Sequence, residues 1–275
     1  MLWQRVVSAL VILPIVFAAT YFGDPWFSLL GEAIMFLGLF EFYRLAESKG
    51  RKPSDLLGIF CAVLLISFAH LGAIFLWLLL WGIVIFTGLW IVLRFFIFHH
   101  RIGKPLADWG WTLGGVVYLG LLLGYLILLR RSFGWEWTLL AILTVSAVDT
   151  SAYFVGRAWG RHRLAPKISP KKTCEGAVGG LVGGLAAAVM LAFAFGLMGE
   201  ADLLNASIEL WQVILLGVLI AVVSQLGDFT ESMLKRSAGV KDAGGLIPGH
   251  GGILDRVDSV VFIGVLVYYY LRWAL

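Results

Sequence analysis

Charge is scarce in this chain: 14% of its 275 residues are Asp, Glu, Lys or Arg, while 60% are hydrophobic. A soluble domain carries about a quarter charged residues, so a water-soluble globule of this length is excluded. Alternating ten-residue strand patterns are missing, which argues against a membrane barrel. There are two cysteines, Cys61 in an apolar stretch and Cys174 in a polar one, and no disulfide framework can be built from them. Neither a Walker A pattern nor a complete GxGxxG fingerprint occurs, so neither the usual nucleotide cradle nor a Rossmann unit is implied. The internal repeat that marks many secondary transporters is missing as well.

What is there is apolar sequence in blocks near twenty residues, the length that crosses a hydrocarbon core of about 30 Å as helix. The reading is an all-α integral membrane protein, a polytopic bundle of about nine transmembrane helices: roughly 3–22, 25–43, 56–73, 75–95, 110–130, 137–157, 176–198, 210–228 and 257–274. The apolar run from Leu56 to Leu93 is too long for one span and is best broken at His70–Gly72. With the N-terminus cytoplasmic, 18 of the 21 basic residues fall inside, and Arg130, Arg131 and Arg272 fall outside. The first span has the basic start and apolar middle of a signal peptide, but a multi-span chain keeps such a segment as its first helix. Residues 1–275 read as a single transmembrane domain in which 1–135 are mainly scaffold spans and 136–275 carry the polar chemistry on the cytoplasmic side.

Within the seventh span, Gly176, Gly180 and Gly184 recur every four residues, and Gly179 with Gly183 does likewise. Such a groove serves close helix packing, within the fold or at a dimer seam, as do Gly120 and Gly124 in the fifth span.

Three polar clusters are costly at a membrane boundary unless they have partners. Asp149, in "TVSAVDTSAYFVGRAWG", is either a site residue facing the bundle interior or a buried carboxylate bonded to Ser146 or Ser151. The loop "GRHRLAPKISPKKTCEGAVGG" leads into a glycine-rich helix start, where free backbone N–H groups beside Lys171 and Lys172 suit phosphate. Ser169, Thr173 and Glu175 belong to the same loop, and Thr173 can cap the helix. The third cluster is "SQLGDFTESMLKRSAGVKDAGGLIPGHGGILDRVDS". There Asp228, Ser232 and Lys235 share a helix face at i, i+4, i+7, and Asp255 and Asp258 share one at i, i+3. Salt bridges to Arg236, Lys241 and Arg256 would explain one carboxylate. Three carboxylates, Asp228, Asp255 and Asp258, with four cations and His250 point instead to a hard divalent cation with open positions for phosphate oxygens. The chemistry expected is phosphoryl or nucleotidyl transfer to a lipid phosphate.

At Ser232 to Ser259, "SMLKRSAGVKDAGGLIPGHGGILDRVDS", the chain resembles the signature of phosphatidate cytidylyltransferases, or CDP-diacylglycerol synthases: S-x-x-K-R, four residues, K-D, then P-x-H-G-G and D-R-x-D. "SAVDTSAYFVGRAWGRH" and "SPKKTCEG" resemble that family's other polar stretches, with Cys174 standing where tryptophan is common. The resemblance implies CTP and phosphatidic acid as substrates, CDP-diacylglycerol and pyrophosphate as products, magnesium with potassium as a companion ion, a homodimer in the cell membrane, and no nucleic-acid partner. By position it implies Asp228, Asp255 and Asp258 as the metal centre. Lys235, Arg236, Lys241, Asp242 and His250 complete the catalytic set, with His250 donating a hydrogen bond or stabilising the turn. Asp149, Ser169, Lys171, Lys172, Thr173, Glu175, Ser232 and Arg256 are the candidates for substrate binding. Two other readings stay open: a CTP-dependent lipid or polyprenol kinase, and an ion-coupled transporter using Asp149 and Asp228.

Overall fold

In hydrocarbon every backbone polar group must be satisfied within its own segment, so apolar blocks of this kind fold as helices. The computed structural model describes residues 2–97, 105–166, 168–197, 208–240, 243–244 and 251–275. Its elements run α1 (Leu2–Phe22), α2 (Trp26–Glu47), α3 (Asp55–Ser67), α4 (Ala73–Ile97), α5 (Pro105–Gly115), α6 (Leu122–Trp159), β1 (Arg163–Ala165), β2 (Ser169–Thr173), α7 (Cys174–Ala194), α8 (Leu210–Ala238), α9 (Leu254–Val257) and α10 (Val261–Ala274).

Among the described residues, six segments are long and apolar enough to cross a membrane: Trp26–Glu47, Ala73–Leu93, Pro105–Trp159, Cys174–Ala194, Leu210–Ala238 and Leu254–Ala274. Large apolar side chains such as Leu78, Trp81, Ile85 and Leu89 on α4 point outward, as they do on a helix solvated by lipid. The molecule is therefore a helical membrane protein, but six segments meet the criterion where hydropathy alone reads nine spans. Two of the nine fall in the single run Pro105–Trp159, the first falls in α1, and the third corresponds to a shorter apolar helix, Asp55–Leu71.

Two junctions show why the chain turns where it does. The break expected at His70–Gly72 is present: α3 ends in a 3-10 turn, Ala69–Leu71, and Gly72 takes φ 102°, a value that only glycine adopts without strain. By contrast, the short loop expected after Arg130 and Arg131 is reduced to one non-helical residue, Gly134 at φ 93°. The Thr138 hydroxyl donates to the Gly134 carbonyl at 3.0 Å, satisfying a group that the kink frees from the helical ladder.

The chain divides into two compact units, Met1–Leu128 with Ser237–Arg256, and Leu129–Arg236 with Val257–Leu275. In the first, Tyr43 of α2 is buried and donates to the Thr112 carbonyl at 3.0 Å. Gly115 leaves room for its ring, since a Cβ there would stand 2.8 Å from it. The basic connection from α2 to α3 is tied to α5: Lys52 N–H donates to Asp108 (3.2 Å) and Ser54 N–H to the Thr112 hydroxyl (2.8 Å). Gly120, in a π-helical turn over Val116–Leu121, lies against Ala62 of α3.

In the second unit the glycine stripe of α7 is filled by α6 of the same chain. A Cβ on Gly180 would stand 3.1 Å from the Val148 carbonyl and one on Gly176 would stand 2.8 Å from the Ala152 carbonyl. Gly179 faces Val155 and Gly183 faces Ser151. The stripe thus serves packing within the fold, where dispersion between close backbones replaces the hydrophobic drive that lipid cannot supply.

Candidate functional site

The second unit holds the larger polar cluster. Its basic loop is no simple coil: β1 and β2 form an antiparallel ribbon that delivers Thr173 to the start of α7. Thr173 is the N-cap, its hydroxyl accepting from Gly176 N–H at 3.1 Å. Glu175 closes the ribbon: its carboxylate accepts from Arg161 N–H at 3.0 Å and His162 N–H at 3.2 Å, and contacts His162 Nδ1 at 2.7 Å. Lys171 is exposed, whereas Lys172 is half-buried and forms an ion pair with Asp228 of α8. The Lys172 ammonium also lies 4.1 Å from the centre of the Phe229 ring.

On α8 the face expected from i, i+4, i+7 spacing is realised around Asp228. Ser232 Oγ donates to Asp228 Oδ1 at 3.4 Å, a long bond. Lys235 turns instead to Glu231, a fully buried carboxylate one turn earlier. Arg236 donates from Nε to the Ile168 carbonyl at 3.2 Å, tying the helix to the ribbon connection.

Asp258 has Asp228, Asp149 and Lys235 within electrostatic reach, and its Oδ1 accepts from Ser259 N–H at 2.7 Å. Gly227 permits this approach, because a Cβ there would stand 2.7 Å from the Asp258 carbonyl oxygen. Asp149 is exposed rather than turned to a bundle interior. The nearby hydroxyls of Ser146 and Thr150 donate to the helix carbonyls of Ile142 and Ser146. The lysines nearest these carboxylates are themselves paired, Lys172 with Asp228 and Lys235 with Glu231.

Asp255 belongs to the first unit, where its Oδ2 accepts from Ala243 N–H (3.1 Å) and Gly252 N–H (2.8 Å). Gly251, at φ 81°, takes a backbone conformation that brings the chain against this carboxylate. Glu41 of α2 sits beside it, 3% exposed, with Leu254 N–H donating to its Oε2 at 2.9 Å. Arg256 is exposed and Ser169 half-buried. Lys241, Asp242 and His250 lie outside the described residues.

Glu41 and Glu231 are the polar residues that spacing alone did not single out. Glu231 had a signal, a Glu four residues before Lys235. Glu41 had only the anomaly of an acid inside an apolar span.

Among the described residues, no group of three or more His, Cys, Asp or Glu side chains has the arrangement of a formed metal cage. The donor chemistry nonetheless suits a hard cation. Asp228 and Asp258 are oxygen donors, and a site with few protein ligands and room for water and phosphate oxygens is how magnesium is commonly held.

The chain is thus a helical membrane protein whose second unit brings Asp149, Asp228 and Asp258 within electrostatic reach of one another, with Lys172 and Lys235 paired to Asp228 and Glu231. A sequence model described as "Cytidylyltransferase family" matches residues 3–274, and the chain belongs to that family. Among its relatives is the protein named phosphatidate cytidylyltransferase of Synechocystis sp., 35% identical over 97% of this chain and 95% of the relative. Proteins of the same name from Pseudomonas aeruginosa and Haemophilus influenzae are 34% and 35% identical, over 100% and 94% of this chain and 98% and 95% of theirs.

Proposed function

We propose that this protein is a phosphatidate cytidylyltransferase, converting CTP and phosphatidic acid to CDP-diacylglycerol and pyrophosphate. The observation that carries the reading is the family membership over residues 3–274, with relatives of that name matched nearly end to end. The charge pattern of the second unit supports it, because ion pairs to Asp228 and Glu231 hold Lys172 and Lys235 in place beside the carboxylates that the reading assigns to magnesium.

In this reading an oxygen of the phosphatidate phosphate attacks the α-phosphorus of CTP in line, the α–β bridging bond breaks, and pyrophosphate leaves with that electron pair. A phosphate monoester is already ionised near neutral pH, so no strong general base is needed. Asp228 and Asp258, with Asp255 as the sequence expects, are the residues that would hold magnesium, which supplies charge neutralisation on the phosphates when bound. Lys172 and Lys235 stabilise charge as it moves to the leaving oxygen, and Lys171 and Arg236 orient the outer phosphates. Nine crossings with the N-terminus and the polar loops on the cytoplasmic side complete the reading, in a cell membrane where CTP is on that face. Support for a homodimer rests on the family resemblance alone, since the glycine grooves are filled within the chain.

The test is a product assay on purified protein with phosphatidic acid, magnesium and CTP labelled either in cytidine or in the γ-phosphate. Cytidine label in the lipid phase with γ-label in pyrophosphate is expected. Label from the γ-phosphate in a lipid would make the protein a kinase, and ion uptake into proteoliposomes without nucleotide turnover would make it a transporter.

A further inference from the structure

Glu41 lies on α2, outside the polar stretches that carry the family signature, yet its carboxylate is buried in an apolar helix. A carboxylate in such a place is costly unless it does something for the fold or the site. What it touches is the glycine-rich segment that reaches Asp255. Its Oε2 accepts from Leu254 N–H at 2.9 Å. A Cβ on Gly244 would collide with its Oε1, and one on Gly252 would collide with its Oε2. Gly244 and Gly252 flank residues 245–251 in sequence, so a single carboxylate is in contact with the chain on both sides of that stretch. Asp255 repeats the pattern, with Oδ2 accepting from Ala243 N–H and Gly252 N–H. Neither glycine takes a positive φ; what both positions lack is room for a methyl group beside Glu41.

We infer that Glu41 is a positioning residue for cytidylyl transfer: it clamps the backbone at Gly244 and at Gly252–Leu254, and thereby fixes the segment that presents Asp255. This rests on the proposed reading of Asp255 as part of the reaction centre. Glu41 itself touches no reacting atom. Its oxygens act on backbone, one as acceptor for an amide and both as walls that glycine alone can approach.

The test uses the full-length protein in detergent, with turnover of CTP and phosphatidic acid, thermal unfolding, and hydrogen exchange of the peptide covering residues 251–258. Glu41→Ala is expected to lower kcat about tenfold to a hundredfold, the scale on which misplacement of about an ångström acts. KM for CTP stays within about threefold, and exchange rises in that peptide while the rest of the chain is unchanged. Glu41→Gln keeps an acceptor for Leu254 N–H and recovers part of the rate. Gly252→Ala drives a methyl into Glu41 and also lowers kcat. In the double variant the two losses are expected to be strongly non-additive, because the methyl then occupies space that Glu41 has left.

Wild-type kcat in Glu41→Ala, losses that multiply in the double variant, or activity lost only in step with folded protein would each overturn the inference. Should Glu41→Ala fail to fold, Gly252→Ala decides: wild-type turnover there overturns it, and reduced turnover with unchanged melting supports it. If the unmodified protein makes no CDP-diacylglycerol, the functional reading fails by itself. Exchange in 251–258 then still reports on the clamp, with unchanged protection in both variants counting against it.

Discussion

In the proposed reading Asp228 and Asp258 are metal ligands. Each sits near another carboxylate, and Asp228 is also held by Lys172. Asparagine at either position keeps size and polarity but removes the charge that the proposed divalent cation requires and, at 228, the partner of Lys172. Asp228→Asn and Asp258→Asn are therefore expected to lower turnover by about a hundredfold or more, the scale of losing one preorganised electrostatic group, with an unchanged elution profile in detergent. Chelation of divalent ions should likewise abolish turnover, and magnesium should restore it in the unmodified protein. Turnover within about threefold of normal in both variants would remove these residues from the reaction. Thr173 was legible in sequence because its role is local: a cap lies three residues from the amide whose hydrogen bond it accepts. Glu41 was not legible, because its partner Leu254 is 213 positions away. Glu175 was read toward substrate, whereas its described bonds go to the Arg161 and His162 amides across the ribbon.

Elements are held by glycine and by caps. Leucine at Gly180 would push a side chain into the backbone of α6, where even a Cβ stands 3.1 Å from the Val148 carbonyl. A loss of about 1–3 kcal/mol is expected, as for other overpacked sites. Alanine at Gly82 of α4 has nothing within 4 Å of its Cβ and is expected to be neutral or to stabilise by up to about 1 kcal/mol. Thermal unfolding in detergent compares the two, and equal effects would contradict the packing assigned to α7. Thr173→Ala should cost about 1 kcal/mol through the lost cap, with Thr173→Ser nearly normal. Hydropathy located the helices well and their junctions unevenly. The break at Gly72 was visible because apolar length exceeded one crossing, and Gly134 was not resolved as a one-residue kink because two arginines before it look like a loop. The ribbon of β1 and β2 was hidden in a run that composition describes only as basic.

For the whole molecule, use of CTP requires the polar stretches around Lys172 and Asp228 to face the compartment that holds it. The two cysteines report on this, since Cys174 is exposed beside β2 and Cys61 is buried in α3. A membrane-impermeant maleimide is expected to label Cys174 in inside-out vesicles and not in right-side-out cells, leaving Cys61 unreacted in both. Labelling from the external side would reverse the orientation. Cytidylyl transfer to a lipid phosphate is decided by following CTP labelled separately in cytidine and in the γ-phosphate. With phosphatidic acid and magnesium, cytidine label is expected in the chloroform-soluble fraction and γ-label in pyrophosphate, in equal molar amounts. Label from the γ-phosphate in the lipid, or no label in any lipid, would contradict it.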